Sequence, residues 1–327
     1  MIKKISYGSA ICSAFDYLLT KYPEVFLIGQ GLWSPWYVGN SMIDLDKKYG
    51  QDRVIDSPVS ESAVTGAAVG SSLTGMRPVV IHPRMDFMLY AMDAIVNQAA
   101  KWSHMTGGQA NPCLTIRSII NRGGEQGAQH SQSLHSWFAH IPGLKVIIPF
   151  SPLDARDLLI SSVLSNDPVI YIDDRWLYEE VEEIKPIKEI DLNEVRPKYI
   201  NKGNDLTIVG SSYSTLIAKN VSEKLKDLGV YSDVIDLRII NPFNPSLIID
   251  SVKKTGKLVV IDGGWSTCGL ASEVIASVYE NLEVNYFKIK PLRITLPNSP
   301  APTSKKLENI YYHNTDAVLK KILTAIN

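Results

Sequence analysis

Short apolar runs of strand length alternate with helix-length segments through most of this chain, and that alternation restricts its fold more than any other feature. Strand-length runs fall at 25–29, 53–57, 78–82, 114–118, 145–148 and 169–172, with helical patterns near 7–21, 62–74, 86–103 and 152–165. Apolar strands separated by helices predict a parallel sheet covered on both faces. Residues 1–173 therefore read as one α/β domain. The stretch 174–204 then holds 14 charged residues in 31, against 20% for the whole chain, and Pro186 and Pro197 interrupt any regular element. That composition predicts a solvated, charged linker. Alternation resumes with strands at 206–210, 232–237 and 257–262 and helices at 214–228 and 269–280, so 205–327 reads as a second, smaller α/β domain.

Charge and cysteine content exclude several function classes. With 33 Lys+Arg against 34 Asp+Glu, the net charge of −1 supplies no bulk field to draw nucleic acid or an anionic membrane surface. No uncharged apolar stretch of the sequence approaches the ~18 residues of a membrane span, and no signal-peptide apolar run follows Lys3-Lys4. The three cysteines, Cys12, Cys113 and Cys268, are far apart and without metal-ligand spacing. The expectation is a soluble, cytoplasmic protein.

Several segments offer chemistry, each with a plainer reading beside it. Glu61 stands where an apolar strand gives way to a helix, and Ala63, Gly66, Ala67 and Gly70 recur at i, i+3, i+4 and i+7. The nearly bare helix face they make admits a neighbouring helix or a ligand, and a first-turn carboxylate also complements the helix dipole. Phe87, Tyr90 and Trp102 on the next helical pattern read as core by spacing. The glycine-rich run Asn121–Gln132 follows a strand and ends in His130-Ser131-Gln132. It reads equally as a ligand loop or as a surface loop with a capping Ser131. His130, His135 and His140 are five residues apart, a spacing that stacks on no single helical face and argues against a metal site. Trp33, Trp36 and Tyr37 form an aromatic loop after the first strand, with packing as the default reading.

Taken together, these pieces resemble the β subunits of thiamine-diphosphate-dependent 2-oxo acid dehydrogenases, which correspond to the pyrimidine-binding and C-terminal domains of transketolase. The resemblance rests on Arg53-Val-Ile-Asp-Ser-Pro-Val-Ser-Glu61, Gly75-Met-Arg-Pro78, Ala91-Met-Asp-Ala-Ile-Val-Asn97, Met105-Thr-Gly-Gly-Gln109, Gly127-Ala-Gln-His-Ser-Gln132 and Pro142-Gly-Leu-Lys-Val146. Asp236-Leu-Arg238, Gly263-Gly-Trp-Ser-Thr267 and Pro300-Ala-Pro302 extend it into the second domain. It implies that Glu61 hydrogen-bonds the cofactor's aminopyrimidine ring nitrogen and favours its imino tautomer. It implies that Phe87 is the aromatic on which that ring stacks, and that His130 contacts the reacting 2-oxo acid. A potassium-binding loop would fall near Leu114 and 162–167, through backbone carbonyls at Leu114, Ser162 and Asp167.

The family's magnesium and diphosphate signature, Gly-Asp-Gly followed by Asn, does not occur in the sequence. The resemblance therefore implies an α-like partner that holds magnesium and the diphosphate, usually in an assembly of two α and two β chains, with a lipoyl acyltransferase as acceptor. Two departures bear on the substrate channel. Gln30 stands where the family has a glutamate. Ile81-His82-Pro83-Arg84-Met85-Asp86-Phe87 departs from the usual Glu-Phe or Glu-Ile before the stacking aromatic, Ile81 removing a carboxylate and His82 and Arg84 adding polar or positive groups. Arg84 suits an anionic substrate or acceptor, or else pairs with a carboxylate such as Asp86. Three functions follow as expectations: a 2-oxo acid dehydrogenase β subunit, a subunit of a split transketolase-like or carboligating enzyme with an aldehyde or sugar acceptor, and a non-catalytic scaffold. Intact Glu61, Phe87 and His130 argue against the last.

Overall fold

A computed structural model describes residues 3–326. The chain divides into two compact units. One comprises the chain up to Asn121 together with Trp137–Val195, and the other Arg122–Ser136 together with the chain from Arg196 onward.

In the first unit the parallel strands lie in the order Lys145–Ile147, Val169–Asp174, Thr115–Ile120, Arg77–His82, Val25–Gly29, Val54–Asp56. Every residue of Thr115–Ile120 and Val169–Asp174 is buried, as in parallel strands covered on both faces, polar members such as Arg117 and Asp173 included. Helices cover the sheet because their local chemistry and their apolar faces agree. Helix Tyr7–Lys21 opens on Ser6, whose hydroxyl accepts from the Ser9 N–H at 3.3 Å, and it buries Ala10, Ile11, Ala14, Phe15 and Leu18 along one stripe. Helix Pro152–Leu164 has Ser151 as its cap and proline at its first turn.

The second unit holds the strands Leu292–Leu296, Leu258–Trp265, Leu206–Gly210 and Ser232–Asp236 in parallel, with Lys198–Asn201 antiparallel at the edge. Helices Tyr213–Asp227 and Thr315–Ile326 pack Ile217, Val221, Leu225, Val318 and Ile322 against Ile208, Val234, Val259 and Ile261. Both units are thus α/β with largely parallel sheets, as the alternation predicts.

Three local expectations differ from the structure. The pattern at 86–103 is not one α-helix but a 3-10 turn at Met85–Ala91, a π-helical stretch at Asp93–Ala99 and an α-helix at Ala100–Met105. The charged stretch 174–204 carries strands Val181–Glu183 and Lys198–Asn201, which find partners in Lys4–Ser6 and Ser232–Asp236. Residues 122–136 pack with the second unit rather than with the strands that flank them in sequence.

Candidate functional site

In the first unit, Gln30, Glu61, Arg84 and Phe87 follow the carboxyl ends of parallel strands, where open α/β sheets hold ligands, whereas Leu114, Ser162 and Asp167 precede the amino ends of two of them. Helix Glu61–Ser72 starts on Glu61 itself, five residues past strand Val54–Asp56. Among the described residues the partly exposed Glu61 carboxylate has no hydrogen-bond or ion-pair partner. The bare face behind it is open: Ala63, Gly66, Ala67 and Gly70 are exposed, and a Cβ added at Gly66 or Gly70 would meet nothing within 4 Å. Within this chain, then, the small-residue stripe is not a tight helix contact.

The opposite side of that helix is fixed. Thr65 is buried, with Oγ1 3.4 Å from His82 Nε2 at the end of strand Arg77–His82. Burial pushes the His82 imidazole down to about 4. An unfolded histidine titrates near ~6.5, so between those values the unfolded chain binds more protons. The stability from neutral His82 is therefore complete above the unfolded value and is lost as pH falls toward the folded one. At ~1.4 kcal/mol per pH unit the loss amounts to about 3 kcal/mol. Urea unfolding between pH 7 and pH 4 should show it, and His82→Leu should flatten the profile; an unchanged profile in the variant would place the pH dependence elsewhere.

Phe87 stands half-buried in the 3-10 turn after Arg84, its N–H donating to the Arg84 carbonyl at 3.2 Å. Tyr90 in the same turn is exposed, so the aromatic stripe is not wholly core. Gln30 follows strand Val25–Gly29 and is half-buried, and the adjoining Gly31 N–H donates to Asp56 Oδ1 at 2.6 Å. Trp33 donates from Nε1 to the Val54 carbonyl at 2.9 Å, whereas Trp36 is 77% exposed and does not pack under its loop.

The expected potassium loop is also in this unit. The Leu114 carbonyl accepts the Val169 N–H and the Ser162 carbonyl the Ser165 N–H, leaving each oxygen a second lone pair. Thr115 Oγ1, beside Leu114, is buried and without a partner among the described residues. The Asp167 carboxylate is already bound to Lys145 Nζ at 2.7 Å. Arg77 Nη1 donates to the carbonyls of Val163 and Ser165 and so holds the loop's shape.

His130 lies in the second unit, half-exposed in the loop that precedes helix His135–Ala139. Ser131 does not cap that helix; its hydroxyl donates back to the Gly127 carbonyl at 2.8 Å. Gly127 has φ of +72°, and a Cβ there would lie 2.9 Å from Thr303 Oγ1, so glycine is required by conformation and by space. Two anchors fix the loop. The Glu125 N–H donates to Glu308 Oε1 at 2.9 Å, and buried His135 sits between Ser133 Oγ (2.9 Å from Nδ1) and Asp262 Oδ1 (3.0 Å from Nε2). Burial pushes the Asp262 carboxyl up, but His135 and the N–H donors of Gly264 and Ala271 outweigh it and hold the group below its usual range. Sequence reasoning missed this anchor; its one signal was Asp262, a carboxylate ending the apolar run 258–261. His130, His135 and His140 do not form a cluster, and among the described residues no group of three His, Cys, Asp or Glu could hold a metal. Nor is any described helix long and apolar enough to cross a membrane.

Comparison with known proteins identifies both domains. Residues 3–180 match the transketolase pyrimidine-binding domain, and residues 197–318 match the transketolase C-terminal domain. The β subunit of acetoin:2,6-dichlorophenolindophenol oxidoreductase from Cupriavidus necator is 34% identical, with 95% of this chain and 94% of that protein covered. The mitochondrial pyruvate dehydrogenase E1 subunit β-1 of Arabidopsis thaliana is 35% identical, with 94% and 85% covered. Among solved structures, a split-gene transketolase chain from an inactive β4 tetramer superposes with a TM-score of 0.76 at 18% identity, covering 98% of both chains. Transketolase from Campylobacter jejuni gives 0.73 at 11% identity, covering 99% of this chain and 47% of that one. The structural likeness establishes the fold, and the sequence identity carries the family: the chain belongs to the thiamine-diphosphate-dependent 2-oxo acid dehydrogenase β subunits, built from the transketolase pyrimidine-binding and C-terminal domains.

Proposed function

We propose that this chain is the β half of a two-chain enzyme that decarboxylates a 2-oxo acid on thiamine diphosphate and passes the acyl unit to a lipoyl acyltransferase. The observation that carries this reading is Glu61: a carboxylate at a strand's carboxyl end, unpartnered among the described residues, beside an open helix face. Its donor chemistry fits the aminopyrimidine, because an uncommitted carboxylate can hold a proton at the ring nitrogen. When bound, the cofactor supplies the electron sink for loss of carbon dioxide. Glu61 governs the ring's protonation, Phe87 offers a face for stacking, and His130 donates to negative charge developing on the 2-oxo acid. The Leu114 and Ser162 carbonyls, with the backbone at Asp167 and the unpartnered Thr115 hydroxyl, suit a potassium ion that stiffens the loop.

An α-like chain completes the site with magnesium and diphosphate ligands, in an assembly of two α and two β chains. The lone chain should therefore bind thiamine diphosphate weakly or not at all, and the partner should create the site. Calorimetry on the purified chain with and without the α chain checks this; tight, magnesium-dependent binding to the chain alone would refute it. A carboligating enzyme, with an aldehyde or sugar as acceptor, is the second reading. Arg84, in the segment leading to Phe87, favours it, since a guanidinium suits an acceptor bearing an anionic group.

A further inference from the structure

Three neighbouring parallel strands of the first unit, Arg77–His82, Thr115–Ile120 and Val169–Asp174, end side by side. Just beyond those ends stand Arg84, Asn121 and Arg175, and their polar atoms form a chain. The Pro83 carbonyl accepts from Arg84 Nη1 at 3.1 Å and from Asn121 Nδ2 at 2.8 Å, and Asn121 Oδ1 accepts from Arg175 Nη1 at 3.4 Å. Arg175 also donates to the carbonyls of Trp36 at 3.4 Å and Tyr37 at 3.1 Å. Every oxygen it meets is neutral, and among the described residues its guanidinium has no carboxylate partner.

The charge of this cluster is unbalanced. Burial, and then the charge of Arg175, push the Arg84 guanidinium down from its ordinary value, against the opposing pull of Asp86. Arg84 thus feels a like charge, Arg175, as well as the Asp86 carboxylate, and both arginines are neither fully exposed nor fully buried. Arg175 as a pin for the aromatic loop explains its bonds to Trp36 and Tyr37, but not a second arginine brought up beside it. An anion between the two would relieve the repulsion, and the planar guanidinium fork matches a carboxylate or a phosphate. Phe87, the proposed stacking residue, lies in the turn that Arg84 opens.

We propose that Arg84 and Arg175, bridged by Asn121, form a binding site for an anionic group that the substrate or its acceptor carries away from the reacting carbon. This rests on the reading of the first unit as the pyrimidine-binding half of a 2-oxo acid enzyme, and adds to it the class of molecule that the enzyme selects.

The test starts from binding. The full-length chain, alone and assembled with its α partner, is titrated calorimetrically with inorganic phosphate at low ionic strength. Binding should weaken about 30-fold in Arg84→Gln, as for loss of a charge-assisted hydrogen bond, and recover in part in Arg84→Lys. Phosphate binding equal in the parent and Arg84→Gln overturns the site. Arg84 carries the test because Arg175 also ties down the aromatic loop. In the assembled enzyme two comparisons then locate the anion: 2-oxoglutarate against pyruvate as donor, and glyceraldehyde 3-phosphate against glyceraldehyde as acceptor. The ratio of kcat/KM values, anionic over plain, should fall about 30-fold in Arg84→Gln for one of these pairs. Ratios unchanged for both overturn the proposal. If no 2-oxo acid is decarboxylated while phosphate binding still depends on Arg84, the reaction reading fails and the site stands.

Discussion

Glu61→Gln should lower turnover of the assembled enzyme at least ~100-fold, the scale of losing a positioned acid–base group. The substitution keeps the side chain's shape and removes only its charge and its capacity to hold a proton. Among the described residues nothing else depends on that carboxylate, so no existing contact is broken. The structural cost is limited to the favourable interaction of a first-turn carboxylate with the helix dipole, ~0.3–1 kcal/mol. A 100-fold loss corresponds to about 2.7 kcal/mol, too large to come from that source. Cofactor affinity should fall less than turnover, because the proposed stacking on Phe87 and the proposed diphosphate contacts of an α-like partner do not involve this carboxylate. Parallel measurement of turnover, cofactor affinity and melting temperature separates these effects. Near-normal turnover with an unchanged melting temperature would remove Glu61 from the mechanism.

The sheets were legible in the sequence because parallel strands buried on both faces leave continuous apolar runs. Strands Val25–Gly29 and Leu206–Gly210 match the expected bounds to the residue. The edge elements were not legible. Lys198–Asn201 and Val181–Glu183 are short, half-solvated and charged, so their strand character comes from pairing rather than from apolar content. The turn at Met85–Ala91 and the π-helical stretch after it share the apolar content of an α-helix, which periodicity over so short a window does not resolve. Glu61, Phe87 and His130 are proposed as site residues from the family's motifs, and composition alone leaves each with an ordinary structural explanation. Arg175 and Asn121 were hidden for different reasons. Arg175 opens a run of charged residues that reads as solvent-facing, and Asn121 heads a glycine loop that draws attention to its far end. What marks both is their place, the first residue beyond a buried parallel strand, and that place is known only once the strand ends are known.

Asp173→Ala should destabilise the first unit by ~3–5 kcal/mol, because it leaves the Arg117 guanidinium buried without its counter-charge. Arg117 and Asp173 lie on adjacent strands and are wholly inaccessible. Arg117 Nε donates to Asp173 Oδ1 at 2.9 Å and Nη2 to Oδ2 at 2.8 Å, with Ser41 Oγ and the Tyr178 hydroxyl accepting from the same Nη2. Burial works against the guanidinium's charge, but Asp173 and Tyr178 outweigh it and raise its pKa. The expected loss is a large share of the ~5–15 kcal/mol that holds a typical domain together. It also reaches the site: the Tyr178 hydroxyl donates to Asp173 at 2.7 Å, and the Arg175 guanidinium lies over the Tyr178 ring at 5.5 Å. Loosening Asp173 therefore frees the residue that aligns Arg175. Coupling Asp173→Leu with Arg117→Met removes both charges, and it should restore most of the stability, since apolar replacement of a buried pair is often neutral or better. Alignment of Arg175 need not return with it, because the Tyr178 hydroxyl has then lost its acceptor. Urea unfolding at constant slope reads the first effect, and phosphate titration reads the second. A loss below ~1 kcal/mol in Asp173→Ala would show that water reaches the pair, which is the range of solvent-exposed ion pairs.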